Sequence, residues 1–355
     1  MALSVLSGQS LEYYQETTTN APSGGETAVL KFAALITSNL VMTIPIAMIL
    51  GFICGYFVDA APLKALILPF TFLMVYPMMV NLKLKKLVEG GDTKIQCVTQ
   101  GLNFLIVPFV ALGIALLAFP DKPFLVLGLV LTALLPTSGM TISYTGLSRG
   151  NMEAAIKMTV IGLILGSILA PFYLEWLLGA KIQIDLLAVM ANIALIVFLP
   201  MAAGFATQLA LIKRHGQAKF NKEVGPRLAP LSTYGVVGVV FVAMALKARS
   251  IADQPDILLT IIVPLILFYV ANYALSIVVG RMFFSRDDAI ALLYGSVMRN
   301  LSVALAVTIN AFGEQGSEAA LLISLGYIIQ VQSAAWFVKY TDKIYGPKKA
   351  PVGAA

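Results

Sequence analysis

The sequence predicts an all-α polytopic membrane protein, with ten transmembrane helices arranged as two inverted five-helix repeats. Three observations carry this. The 355-residue chain is 59% hydrophobic and only 12% charged, against about 45–50% and about 25% in soluble domains. Its mean hydropathy is +0.88. Ten apolar stretches are each about 20 residues long, enough to cross a ~30 Å hydrocarbon core. The fourth and ninth of these carry matching polar interruptions near their middles.

Residues 1–30 are polar and rich in Thr, Gly and Ser, without the basic and apolar regions of a signal peptide; they read as a disordered cytoplasmic tail. The first repeat, 31–180, holds stretches at 36–58, 62–82, 97–119, 124–146 and 154–178. The second, 181–343, holds 186–211, 227–247, 256–281, 288–312 and 318–341, and 344–355 form a second cytoplasmic tail. Each stretch is apolar all round with scattered Gly, Ser and Thr, as expected of helices packed closely in lipid.

Orientation follows from Lys and Arg. With the N-terminus inside, the inner segments hold 17 basic residues, including Lys83, Lys85, Lys86, Lys94, Lys213, Arg214, Lys219, Lys222 and Arg227. The outer loops hold five: Lys64, Lys122, Lys181, Lys247 and Arg249. This bias places both termini in the cytoplasm of a cell-membrane protein. It also accounts for the net charge of +6 without nucleic acid.

The fourth stretch contains Leu135-Pro136-Thr137-Ser138-Gly139-Met140-Thr141-Ile142-Ser143. Proline removes a backbone donor, and glycine with clustered hydroxyls loosens a helix. The ninth contains Gly295-Ser296-Val297-Met298-Arg299-Asn300-Leu301-Ser302 at matching depth. Similar turns follow both, Gly150-Asn151-Met152-Glu153-Ala154-Ala155 and Gly316-Ser317-Glu318-Ala319-Ala320. Two halves of opposite orientation, each with one interrupted helix, form the pattern of inverted-repeat transporters. Pro136, Gly139 and Gly295 are the expected helix breakers.

Arg299 is the most informative residue. A guanidinium at bilayer depth costs at least ~2.5–3.5 kcal/mol, so it needs partners or a function. No carboxylate lies at that depth, which points to an anion arriving from outside the chain. Arginine offers it a fork of donors, and Asn300, Ser302, Thr137, Ser138, Thr141 and Asn103 complete the expected substrate-binding set. Among the other polar residues, Lys157 follows Glu153 at the favourable i,i+4 spacing and is expected to snorkel. Asn272 stands where Asn103 does in the other half, and Gln330 and Gln332 read as packing residues. Cys54 and Cys97 lack metal-ligand spacing, and the single histidine, His215, sits in a basic loop. No metal or cofactor is expected. Mid-span His, Asp and Glu are lacking, which argues against an enzyme, and polarity confined to two spans argues against a channel.

Several segments resemble the arsenite exporters of the arsenical-resistance class and their relatives in the bile acid:sodium symporter superfamily. These are Leu73-Met74-Val75-Tyr76-Pro77-Met78-Met79, Asn103-Phe104-Leu105-Ile106-Val107-Pro108, Ser148-Arg149-Gly150-Asn151 and the run from Arg299 to Ala306. The resemblance implies a panel domain of spans one, two, six and seven, and a core domain in which spans four and nine unwind and cross. It also exposes departures. The exporters' span-four cysteine corresponds to Thr137 and their span-nine glutamate to Ser302. The symporters' sodium-binding glutamate and glutamine correspond to Gly295 and Arg299, their Ser-Asn pair to Thr141-Ile142, and one serine to Ala155. Asn103 stands at a sodium-binding glutamine, and Thr159 keeps a hydroxyl.

The expectation is therefore a secondary transporter of a small anion, an organic carboxylate or oxyanion, working by alternating access without sodium. The rivals are an arsenite exporter that lacks the usual cysteine and a sodium-coupled organic-anion symporter. The partners expected are the anion and the lipid bilayer, and a homodimer is left open.

Overall fold

A computed structural model describes residues 40–83, 91–180, 182, 185–253 and 255–347. The two expected tails fall outside these residues for 1–30 and 348–355, as do Lys85, Lys86 and Lys181.

The described residues form helices throughout, with no strand among them beyond one isolated bridge. In chain order these are α1 (Leu40–Phe57), α2 (Ala61–Val80), α3 (Thr93–Ala118), α4 (Pro123–Leu134), α5 (Gly139–Leu147) and α6 (Met152–Leu178). Then follow α7 (Leu186–His215), α8 (Gly225–Asp253), α9 (Asp256–Phe283), α10 (Arg286–Val297), α11 (Leu301–Phe312) and α12 (Ser317–Tyr345). Among the described residues, seven helices are long and apolar enough to cross a membrane, and three shorter apolar helices cover 43–57, 123–134 and 301–312. The fourth and ninth apolar stretches are the divided ones, giving α4 with α5 and α10 with α11.

Local chemistry explains the irregularities. Proline at position i cannot donate to the carbonyl at i−4 and its ring crowds that group. Pro108 and Pro200 each follow a short π-helical segment, Leu102–Ile106 in α3 and Ala194–Phe198 in α7. The wider turn relieves the clash. In α3 the freed carbonyl of Phe104 accepts from the Tyr173 hydroxyl at 2.7 Å. Asn103 lies within that bulge.

The helices sort into two packed groups. In one, α8 lies along both α1 and α2, and α7 packs on α2. Glycine makes this approach possible: a Cβ at Gly55 would fall 1.9 Å from the Ala245 carbonyl oxygen. Gly51, one turn earlier, faces the Phe241 carbonyl in the same way. This small-xxx-small spacing lets helices meet backbone to backbone. The other group holds α3–α6 and α9–α12, and its interior is the most thoroughly buried part of the chain. The two groups meet chiefly where α12 and α11 face α8, α1, α2 and α7. Between the start of α2 and the α11–α12 turn, Lys64 pairs with Glu314.

Lys157 does not snorkel. It is 3% exposed and lies 3.3 Å from both Asp92 and Glu153. Asp92 precedes α3, so the lysine ties that helix to α6, whose first turn is capped by Asn151 accepting from the Ala154 amide at 3.0 Å. The Asn151 amide group in turn donates to Asp288 of α10 at 2.8 Å.

Candidate functional site

The two helix breaks lie side by side. Residues 135–138 separate α4 from α5, and 298–300 separate α10 from α11. They run antiparallel, forming the bridge between Pro136 and Arg299, and the Asn300 amide donates to the Leu135 carbonyl at 2.8 Å. Mid-helix backbone that is unwound must find other partners, and each break supplies some to the other.

Both downstream half-helices begin here with a cap. The Ser138 hydroxyl accepts from the Met140 amide at 3.3 Å, and the Ser138 amide donates to Thr141 Oγ1 at 3.2 Å. The side chain of Asn300 accepts from the Val303 amide at 3.2 Å. The positive ends of α5 and α11 therefore converge on the crossing.

Arg299 is 1% exposed. Its backbone is fully engaged: the amide donates to Gln330 Oε1 at 2.8 Å, and its carbonyl accepts from Gln330 Nε2 at 3.2 Å. Its side chain is not. Nη1 donates to the Ala133 carbonyl at 3.3 Å, while Nε and Nη2 are buried with no hydrogen-bond partner among the described residues. A buried donor left unpaired costs about 1–3 kcal/mol, more when charged.

Arg299 lines a cavity of about 420 Å³ between the two helix groups. Ser138, Thr159, Asn300, Ser302, Tyr327 and Gln330 supply polar groups, while Met78, Met140, Ile156, Leu163, Val236 and Leu301 make most of the wall apolar. Asn81 and Lys83, at the end of α2, also face it. Ser302 and Tyr327 share a hydroxyl–hydroxyl bond of 2.5 Å.

Four of the seven expected substrate ligands thus line one cavity: Arg299, Asn300, Ser302 and Ser138. The other three stand behind it. Thr137 is wholly buried, and its hydroxyl points to the carbonyls of Pro136, Met158 and Thr159 at 2.7, 3.3 and 3.3 Å. It holds φ +62°, a costly conformation for a β-branched residue. Thr141 donates to the Tyr294 carbonyl at 3.3 Å, and Asn103 donates to the Gly295 carbonyl at 3.0 Å. Gly295 itself is not at the break but inside α10. Its role there is spatial, since a Cβ would meet Met158 Sδ at 2.6 Å. Asn272 mirrors Asn103 from the other side: it donates to the Ser296 carbonyl at 3.1 Å and accepts from the Ser296 hydroxyl at 2.9 Å.

Tyr327, which the sequence did not single out, and Gln330, which it presents as a packing residue, both line the cavity from α12. A glutamine mid-span is itself a signal, because an amide in lipid needs partners. No group of three or more His, Cys, Asp or Glu is placed to hold a metal among the described residues.

Residues 80–339, well over half of the chain, match the model of the SBF-like CPA transporter family. The chain belongs to that family. It is thus a multi-pass membrane transporter, in agreement with the resemblance read from its motifs. The SBF-like CPA family member is 22% identical over 292 residues to the Arsenical-resistance protein Acr3 of Corynebacterium glutamicum, covering 78% of each chain. It is 23% identical over 305 residues to the uncharacterized transporter slr0944 of Synechocystis sp., covering 77% of this chain and 79% of the relative. Similarity extends to the uncharacterized protein YbaS of Bacillus subtilis, 22% identical over 234 residues, covering 66% of this chain and 74% of the relative.

Proposed function

We propose that this chain is a secondary transporter of a small organic anion, with Arg299 as the charge that faces the substrate. The observation that carries this is the buried guanidinium with two unpaired nitrogens, set in the wall of a 420 Å³ cavity where two broken helices cross. That volume is in the range of small-molecule sites. The apolar lining favours a carboxylate with a hydrocarbon body over a fully hydrated inorganic oxyanion. Ser138, Asn300 and Ser302 orient the anion, while Thr137, Thr141 and Asn103 hold the breaks in place from behind.

In this reading the ten apolar stretches all cross the membrane as two inverted repeats, with both termini in the cytoplasm. The group of α1, α2, α7 and α8 serves as the panel. The remaining helices form the core, which moves against the panel to expose the cavity alternately to either side. Asn81 and Lys83 lie at the basic end, so the present arrangement is the inward-facing one. The fixed charge of Arg299 takes the place of a coupling sodium ion, because a guanidinium offers donors only and cannot ligate a cation.

The similarity to an arsenical-resistance protein supports a second reading, arsenite efflux. Trivalent arsenic is thiophilic, and neither Cys54 nor Cys97 is among the cavity residues. Counterflow in proteoliposomes decides between the readings, using straight-chain and aromatic monocarboxylates, sulfate and arsenite, each with and without sodium. Carboxylate exchange indifferent to sodium is expected. Exchange of arsenite alone, or exchange that collapses without sodium, would overturn the proposal.

A further inference from the structure

The unwound stretch of the ninth span is held on one side by the other break and on the opposite side by a single side chain. Gln330 of α12 presents its amide edge-on to Arg299, as a neighbouring strand would present a peptide group. Its Oε1 accepts from the Arg299 amide at 2.8 Å, and its Nε2 donates to the Arg299 carbonyl at 3.2 Å. The backbone dictates this orientation, since an amide N–H can only donate and a carbonyl can only accept. A third bond locks it: the Tyr269 hydroxyl of α9 donates to the same Oε1 at 3.0 Å. Gln330 and Tyr269 are 1% and 2% exposed, so water does not readily replace any of these bonds.

We propose that Gln330, fixed by Tyr269, is the positioning residue for Arg299: it sets where the guanidinium stands in the cavity and therefore how tightly an anion is held. The argument rests on the contrast within one residue. The Arg299 backbone amide and carbonyl are both satisfied, whereas Nε and Nη2 are unpaired. The clamp thus fixes the main chain without using the side chain, whose one bond is from Nη1 to the Ala133 carbonyl. Its position on α12 extends the argument. This helix runs unbroken over 29 residues, and one turn before Gln330 it offers Tyr327 to the Ser302 hydroxyl. Gln330 and Tyr327 therefore hold the last residues of the break and the first turn of α11 from one rigid support. A wrongly placed fork loses bidentate geometry before it loses charge.

This inference rests on the proposed anion site, but its test need not. Phenylglyoxal modifies arginine, and peptide mass spectrometry reads the extent residue by residue in the full chain. Arg299, buried at the cavity wall, should react slowly, Arg249 should react fast, and Arg286 serves as a second, partly buried reference. Gln330→Met removes both backbone bonds at similar volume. It should raise the Arg299 rate about tenfold, the equivalent of one buried hydrogen bond. Tyr269→Phe removes only the lock and should raise it roughly threefold on the same scale. Tyr273→Phe, whose hydroxyl bonds Ser333 instead, should leave it unchanged. An Arg299 rate unaltered in Gln330→Met overturns the proposal, as does a parallel rise at Arg286, which would mean general loosening. Hexanoate separates the two readings: protection of Arg299 in the wild type that weakens in Gln330→Met supports both. Faster modification of the variant without hexanoate protection in either protein would keep the positioning role and remove the carboxylate reading.

Discussion

Replacing Arg299 by methionine separates an arginine kept for a ligand from one kept for the fold. Methionine nearly fills the space but carries no charge. Its removal relieves a burial cost of at least ~2.5–3.5 kcal/mol at bilayer depth. Against this stand the one side-chain bond that Arg299 makes, to the Ala133 carbonyl, worth about 1.5–3 kcal/mol for a charged donor and less at 3.3 Å, and the exposure of that carbonyl as an unpaired acceptor, about 1–3 kcal/mol. The terms nearly offset, so stability without anion should stay within about 2 kcal/mol of wild type. The backbone bonds to Gln330 survive the substitution because they do not use the side chain. Anion binding should instead fall by about 2–5 kcal/mol, the range for removing one partner of a buried charge pair. The assay is a thermal melt of purified protein with and without a saturating carboxylate, paired with counterflow in liposomes. The expected result is an almost unchanged melt without anion, loss of the anion-induced rise, which for wild type at a hundredfold excess over Kd is about 2.7 kcal/mol, and loss of transport. A variant that unfolds without anion, or one that still exchanges carboxylates, refutes the reasoning.

Three further outcomes follow from the same geometry. Thr137→Ala keeps the left-handed backbone of Thr137 but loses the hydroxyl donor that sits among three carbonyls. Thr137→Gly also loses that donor while releasing about 1–3 kcal/mol of strain, so the glycine variant should melt higher, and neither should change anion affinity more than a few-fold. Gly162→Ala puts a Cβ 2.5 Å from Thr137 Oγ1, which is held by those same carbonyls. Overpacking of about 1–3 kcal/mol should lower the melting temperature and slow transport, and a neutral result in both would deny the close approach of α6 to the break. Asp92→Asn weakens the pairing of buried Lys157, which keeps Glu153, and should destabilise by about 1–3 kcal/mol in denaturant unfolding, with anion affinity unaltered.

The helices and their interruptions were legible in the sequence because they depend on local chemistry. Apolar runs of spanning length, Pro136 three residues before Gly139, and an arginine in the middle of an apolar stretch each have one cheap physical solution. The facing of the hydroxyls was not legible. Within a helix, successive side chains turn by a fixed angle and their directions follow from spacing. Across 135–138 that rule lapses, so adjacent Thr137 and Ser138 point to opposite sides, one into the carbonyls of α6 and one toward the cavity. Gly295 was misassigned for a related reason: glycine in a transmembrane stretch signals either a break or a close contact, and only the nearness of Met158 identifies the second. Gln330 required knowledge of its partner, since a polar residue in a long helix shows that a bond exists without saying to what.

On the proposed reading, the caps at the crossing bear on how long a bound anion stays. The Met140 and Val303 amides, among the first donors of α5 and α11, are already taken by Ser138 and Asn300. In the proposed reading, an arriving carboxylate meets the positive potential of two helix ends with those two N–H groups already taken, which leaves more of its direct bonding to the guanidinium and a few hydroxyls. A site built for tight capture would leave such amides open, as phosphate loops do. Here attraction acts at a distance while the grip at contact stays limited, which shortens the residence time, a quantity governed by the off-rate. For a protein that must discharge its cargo in every cycle, that restraint favours throughput over retention.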